Sequence, residues 1–141
     1  MKLRTPTYGR RAFTLMEMLV VVLIIAILAS LIVPNLIKKA DQAKVAKATA
    51  DISSLEDALQ GYRLDNDAFP TTDEGLQALT VQPSDARNWK GPYLTHNVPL
   101  DPWGNAYVYQ SPGPAGEDYL VSSYGPDGQP GGNDDITSDD Q

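Results

Sequence analysis

Phe13 to Val33 reads FTLMEMLVVVLIIAILASLIV, 21 residues with a single charge, Glu17. Wound as an α-helix, the run is about 31 Å long at about 1.5 Å per residue, close to the hydrocarbon thickness of a bilayer. A cleavable secretory signal has a shorter apolar region of roughly 7–15 residues that ends at a small-residue cut. Ala26-Ile27-Leu28-Ala29-Ser30 is a weak match to such a cut, but the apolar pattern continues past it to Val33. Lys2, Arg4, Arg10 and Arg11 precede the run and no acid lies among residues 1–12. The positive-inside tendency keeps that leader in the cytoplasm and sends the following domain across. On span and charge an ordinary single-pass anchor fits. Glu17 argues against it, because a carboxylate in hydrocarbon costs about 2.5 kcal/mol or more at a helix centre and less near an end. It is either solvated at headgroup depth or paired.

Outward from this run the composition changes. The chain has 141 residues, enough for one modest domain, and the part after Lys38 reads as a soluble, polar domain. Beyond residue 12 only 7 Lys and Arg face all 18 Asp and Glu, so the domain repels phosphates and is no partner for nucleic acid. There is no cysteine, hence no disulfide and no thiolate metal site. The single His96 cannot build a histidine cluster, so any metal is a hard cation held by oxygens. No nucleophile motif, phosphate loop or paired catalytic histidine is present. The sequence is not that of an enzyme, and His96 reads as a surface-loop residue.

Pro34-Asn35 either stops the helix at the membrane surface or kinks one that continues. Helical pattern resumes at once, which favours continuation. Ala48, Ile52, Leu55, Leu59 and Tyr62 are spaced four, three, four, three, one face of a helix, with Ser54, Asp57 and Gln60 opposite. Asp65-Asn66-Asp67 and Pro70-Thr71-Thr72 end it with turn chemistry. Residues 73–79 are expected to form a short helix capped by Thr72 or Asp73. Ala106–Gln110 and Asp118–Ser123 read as two strands joined across Ser111–Gly116, with their aromatics in the core. Residues 124–136, YGPDGQPGGNDDI, form a Gly-rich loop carrying Asp127, Asp134 and Asp135. The alternating acids and terminal Glu of an EF-hand are absent. The loop is either a solvated acidic segment or is ordered by calcium, which takes about 6–8 oxygens; magnesium, with its tight octahedron and retained waters, suits a carbonyl-rich loop less well.

Arg10-Arg11-Ala12-Phe13-Thr14-Leu15-Met16-Glu17 resembles the processing site of type IV prepilins and pseudopilins. The segment Asn66–Leu76, the turn Asp101-Pro102-Trp103-Gly104-Asn105 and the GPDG…DDI loop are similar to those of the major pseudopilins of bacterial type II secretion systems. The resemblance runs from Arg10 to Ile136. It implies that prepilin peptidase cuts between Ala12 and Phe13, that Phe13 becomes the N-methylated N-terminus, and that Glu17, then the fifth residue, serves assembly. The family most often has glycine before the cut, so Ala12 is a departure that bears on the rate of processing. The resemblance further implies one calcium held by the side chains of Asp127, Asp134 and Asp135, with backbone carbonyls near Tyr124, Gln129 and Gly132.

The expected fold is therefore α+β. A long N-terminal helix, its first half membrane-spanning and its second half amphipathic, packs on a small antiparallel sheet with a calcium-binding C-terminal loop. Residues 1–12 are the leader, 13–35 the transmembrane and filament-core helix, and 36–141 the periplasmic domain. Lys38, Lys39, Asp41 and Lys44 are expected to meet neighbouring subunits. The implied partners are further copies of the chain, minor pseudopilins, an inner-membrane assembly platform and the peptidase, and the implied location is the inner membrane and then a periplasmic pseudopilus that exports folded proteins. Two other classes share parts of this pattern: a true type IV pilin for adhesion, motility or DNA uptake, and a membrane-anchored calcium-binding module that is neither cut nor polymerised.

Overall fold

A computed structural model describes residues 13–140. The expected leader and the Ala12 side of the cut lie outside them. The chain divides into two compact units, one through Lys39 and one from Ala40 onward.

Helix α1 is Leu15–Asn66. Its start is set locally: Glu17 N donates to Thr14 Oγ1 at 3.2 Å and Met18 N to Thr14 O at 3.2 Å. The Thr14 side chain thus satisfies one of the backbone donors that a helix start leaves unpaired, while its carbonyl accepts the first bond of the helix. The helix runs through Pro34 and Asn35, so the proline does not stop it despite the hydrogen bond it removes. In the first unit the side chains of residues 13–30 are all exposed. Among the described residues no helix is long and apolar enough to cross a membrane; the side chains of residues 31–36, which include the end of the apolar run, are outside that set.

The second unit is built on the expected stripe. Ala48, Ile52, Leu55, Leu59 and Tyr62 are buried, while Ser54, Asp57 and Gln60 are exposed. The helix ends at Asn66 because Asp67 turns to φ 60°, with its N–H on Arg63 O at 2.8 Å. That left-handed conformation is one that Asp and Asn tolerate better than most residues. The short helix expected over 73–79 is only a 3₁₀ turn, Leu76–Leu79, with Gly75 at its N-terminus and no side-chain cap. Neither Thr72 nor Asp73 caps it. Thr71 and Glu74 bond reciprocally instead, Thr71 N to Glu74 Oε2 at 2.7 Å and Glu74 N to Thr71 Oγ1 at 3.3 Å. The Thr72 hydroxyl is taken by Ser111, donating to its carbonyl at 3.0 Å and accepting its N–H at 2.9 Å.

Strands β1 (Val108–Gln110), β2 (Leu120–Ser123) and β3 (Ile136–Thr137) form one antiparallel sheet in that order. Tyr109 pairs with Val121, and Ser123 with Ile136. The expected hairpin is present, but both strands start two residues later than expected; Ala106, ahead of the first, bridges Leu100 across the turn at Asp101. β3 was not expected. Two residues are too few to show a period, and they follow a loop rather than a hairpin turn. After β3 the chain forms a 3₁₀ turn over Ser138–Asp140, and Ser138 Oγ accepts the Val121 N–H at 3.2 Å.

Tyr107, Tyr109 and Val121 join Ile52, Leu55, Leu59 and Leu79 in one core. Polar ties cross the same interface. The Tyr107 hydroxyl donates to Asp51 Oδ2 at 3.0 Å, Tyr109 to Pro70 O at 2.7 Å, and Tyr119 to Glu56 Oε1 at 3.3 Å. Burial, with Asp51 next, raises the Tyr107 phenol well above its ordinary value, so it stays a donor at every physiological pH. Burial likewise raises Glu56.

Candidate functional site

Two places carry the residues singled out from the sequence. The first is the start of α1. Phe13 is 72% exposed and Leu15 84%, and Glu17 lies exposed one turn into the helix. Its backbone is held by Thr14. The pattern Thr14-Leu15-Met16-Glu17 is the S/T-x-x-E signature of a helix start, so Thr14 was legible as a cap. From Phe13 to Ser30 the described apolar side chains have no partner within the unit, and Glu17 is the acid among them.

The second is the loop between β2 and β3. Pairing of these strands brings its ends, Tyr124 and Asp135, to one edge of the sheet. Asp127 is exposed and its Oδ1 accepts the Gln129 N–H at 2.9 Å. Asp135 is half-buried. Its Oδ2 accepts the Gly131 N–H at 2.8 Å, while Oδ1 is buried with no hydrogen-bond partner. Asp134 presses on two glycines. A Cβ on Gly125 would collide with its carbonyl, and one on Gly132 with its Oδ1. Gly125 also has φ 64°, so both conformation and space select glycine there. The fold thus brings Asp134 and Asp135 onto the glycine backbone of the loop, while Asp127 sits apart. Among the described residues no three His, Cys, Asp or Glu side chains are gathered closely enough to hold a metal ion. Tyr124 is half-buried at the loop's root, and Gln129 and Gly132 are exposed.

The root of the loop is tied to the turn at Asp101, a connection that sequence reading missed. Asp101 is 4% exposed. Its Oδ1 accepts the N–H groups of Trp103 at 3.0 Å and Asn105 at 2.8 Å, and its Oδ2 accepts the Ser123 hydroxyl at 2.7 Å. Ser123 Oγ in turn accepts the Gly125 N–H at 3.3 Å. Asp followed by Pro-Trp-Gly-Asn signals a turn that the Asp side chain can cap; nothing in the sequence pointed to Ser123, 22 residues away.

An apolar, acid-bearing N-terminal helix and a separate small domain of helix, antiparallel sheet and acidic loop together define the pilin-like class of protein. The family described as type II secretion system (T2SS), protein G matches residues 35–139, and the prokaryotic N-terminal methylation motif matches residues 8–33. The chain belongs to the type II secretion system protein G family. It is 48% identical over 131 residues to the type II secretion system core protein G of Klebsiella michiganensis, covering 91% of this chain and 92% of that protein. With the core protein G of Escherichia coli K12 it shares 46% over 135 residues, 94% of this chain and 92% of that one. The solved structure of the major pseudopilin from the type 2 secretion system of enterohaemorrhagic Escherichia coli matches with a TM-score of 0.65 at 40% identity, covering 74% of this chain and 94% of that chain.

Proposed function

We propose that this protein is the major subunit of a type II secretion pseudopilus, a periplasmic homopolymer that drives folded proteins across the outer membrane. It performs no catalysis of its own. The observation that carries this reading is the run from Phe13 to Ser30, helical from Leu15 onward, apolar but for Thr14, Glu17 and Ser30, with every side chain exposed. Apolar surface at that density is stable only in lipid or against other chains. The full run Phe13–Val33 has the length to cross the inner membrane once before assembly, with the basic leader on the cytoplasmic side. The same side chains become the filament core afterwards.

Cleavage between Ala12 and Phe13 by prepilin peptidase creates an ammonium group at Phe13, the residue that is N-methylated. Glu17 of a neighbouring copy neutralises it. Each charge alone in an apolar surrounding is costly, and the pair is tolerable, so axial register between subunits is selected. Minor pseudopilins and an inner-membrane assembly platform complete the machine. Calcium closes the C-terminal loop through Asp127, Asp134 and Asp135, with carbonyls near Tyr124, Gln129 and Gly132. In favour of it stand the hard-oxygen donor set and the buried, unpartnered Oδ1 of Asp135, a group that costs stability unless something pairs with it. The ion supplies a cross-link between the two ends of a loop too rich in glycine to order itself.

The test is Glu17→Ala in a strain that assembles pseudopili. Cleavage at Phe13 should continue, read by mass spectrometry, while filament yield falls at least tenfold. An unchanged yield would overturn the pairing.

A further inference from the structure

We propose that the groove between the end of α1 and residues 68–88 is the seat of Lys44 from a second copy of the chain. The inference rests on the homopolymer reading above and names one of its contacts. Charge is segregated along the sequence. Residues 37–47 carry Lys38, Lys39, Lys44 and Lys47 against Asp41 alone, whereas residues 48–141 hold 3 Lys and Arg against 16 Asp and Glu. In the structure residues 37–47 of α1 are all exposed, ahead of the buried stripe that begins at Ala48. Lys47 is spent on Asp51 of its own helix, while Lys44 is in no ion pair among the described residues. Copies that lie level put like charges side by side. Copies staggered along the axis put the basic collar of one against the acidic domain of the next.

The groove is the place on that domain shaped for a long cation. Its volume is about 750 Å³. Tyr62 and Asn66 line it from the helix, and Phe69, Val81 and Pro83 add apolar surface. Asp73, Glu74 and Asp85 bring three carboxylates to it against the one cation of Arg87, and none of these four is in an ion pair among the described residues. Thr71 and Ser84 occupy one oxygen each, on Glu74 and Asp85, which leaves Asp73 and the other oxygens for an incoming ammonium. Lysine suits this lining, because its four-carbon stem lies along apolar surface while the charged head stays at the carboxylates. The phosphates of a lipid surface would be repelled. The stagger is also defined. Tyr62 and Asn66 lie 18 and 22 residues beyond Lys44, about 27–33 Å along α1 at about 1.5 Å per residue. A neighbour displaced by that distance brings its Lys44 level with the groove. Each copy gives a lysine and offers a groove, so the contact repeats along a filament and does not close a pair.

The experiment is double charge reversal in a strain that assembles pseudopili. Lys44→Glu and Asp85→Lys should each lower filament yield by about 3–10-fold, and the two together should return it to within about twofold of wild type. Both side chains are exposed, so the melting temperature of each variant in detergent should stay at that of the wild type. The chain has no cysteine, so Lys44→Cys with Asp85→Cys supplies the only thiols. A short bis-maleimide should join the copies of such filaments into a ladder of multimers, and either single variant, or Lys44→Cys with Asp127→Cys, should give no ladder. Reversals that leave the yield unchanged, or that do not rescue each other, overturn the proposal, and so does an equal ladder from the Asp127 pair. A cross-link to a protein of different mass puts another cation in the groove and overturns it as well. Should the wild type form no filament, the homopolymer reading falls and this inference with it; filaments that form without the Lys44–Asp85 ladder sink the seat of Lys44 alone.

Discussion

The unit that ends at Lys39 and the unit that begins at Ala40 both carry apolar side chains on helix α1, and they use them in opposite ways. From Phe13 to Ser30 every described side chain is exposed. From Ala48 to Tyr62 the apolar residues lie on one stripe, and that stripe is buried against Tyr107, Tyr109 and Val121. In the first unit hydrophobicity has no period and finds no partner in its own unit. In the second it has the period of a helix and one fixed partner. Uniform apolarity suits surroundings that are the same on all sides, lipid or a ring of like helices. A stripe suits one sheet. The lesson is that the period of an apolar segment, more than its amount, tells whether it belongs to the fold or to the assembly.

The comparison breaks most readily through paired alanine substitutions. Leu59→Ala removes a side chain with no exposed surface and should lower the stability of the globular unit by about 2–5 kcal/mol. Leu23→Ala, at a side chain 55% exposed, should change it by no more than about 0.5 kcal/mol. Thermal melting of the full chain in detergent, followed by near-ultraviolet circular dichroism, reads both. A large loss from Leu23→Ala would mean that the first unit supports the fold of the second.

The next effect concerns the acidic loop of the second unit, residues 124–135. A ligand present at 100 times its dissociation constant stabilises by about 2.7 kcal/mol. One kcal/mol moves the melting temperature of a domain this size by about 4–8 °C. Chelation should therefore lower melting by roughly 10–20 °C and open residues 124–135 to protease. Asp127→Ala should melt at the chelated temperature with or without calcium. Equal melting and equal proteolysis of the wild type in calcium and in chelator would remove the ion from the account.

What could be read in the sequence follows the same division. The stripe, the end of the helix at Asn66, the hairpin and its buried tyrosines were all readable, because each is a local pattern of period or turn chemistry. Strand β3 was not, since Ile136–Thr137 is ordered by pairing with Ser122 and Ser123 and not by its own residues. The cap expected at Thr72 or Asp73 is absent, because the Thr72 hydroxyl is bonded to Ser111, 39 residues away, and the short helix starts only after Gly75. At the N-terminus Glu17 was legible as an anomaly of charge. In the loop the three acids were legible by composition, but the ties through Asp101 and Ser123 join residues 22 apart that share no pattern.

The smallest effect is on the alkaline side, and it separates the two units by chemistry rather than packing. The stretch from Phe13 to Lys39 contains no tyrosine, whereas the core of the second unit is built on Tyr107 and Tyr109. Burial pushes the Tyr109 phenol up to about 12 from an ordinary value of 10.0, and its hydroxyl is spent on Pro70 O. In the unfolded chain the same phenol loses its proton near its ordinary value. Between those two values the folded state therefore binds more protons than the unfolded state, and stability falls as pH rises. The contribution is fully present below pH 10 and is lost progressively towards pH 12, at about 1.4 kcal/mol per unit. Tyr107, also raised by burial, adds to the same slope. Denaturant melts at pH 9 and pH 11 should show a loss of about 1–3 kcal/mol in the globular unit. Tyr109→Phe should be less stable than wild type at pH 9, since Pro70 O loses its donor, and should lose less between pH 9 and pH 11. A slope unchanged by Tyr109→Phe would mean that this phenol is reached by hydroxide in the folded state, and that the sheet lies less tightly on the helix stripe than the buried tyrosines indicate.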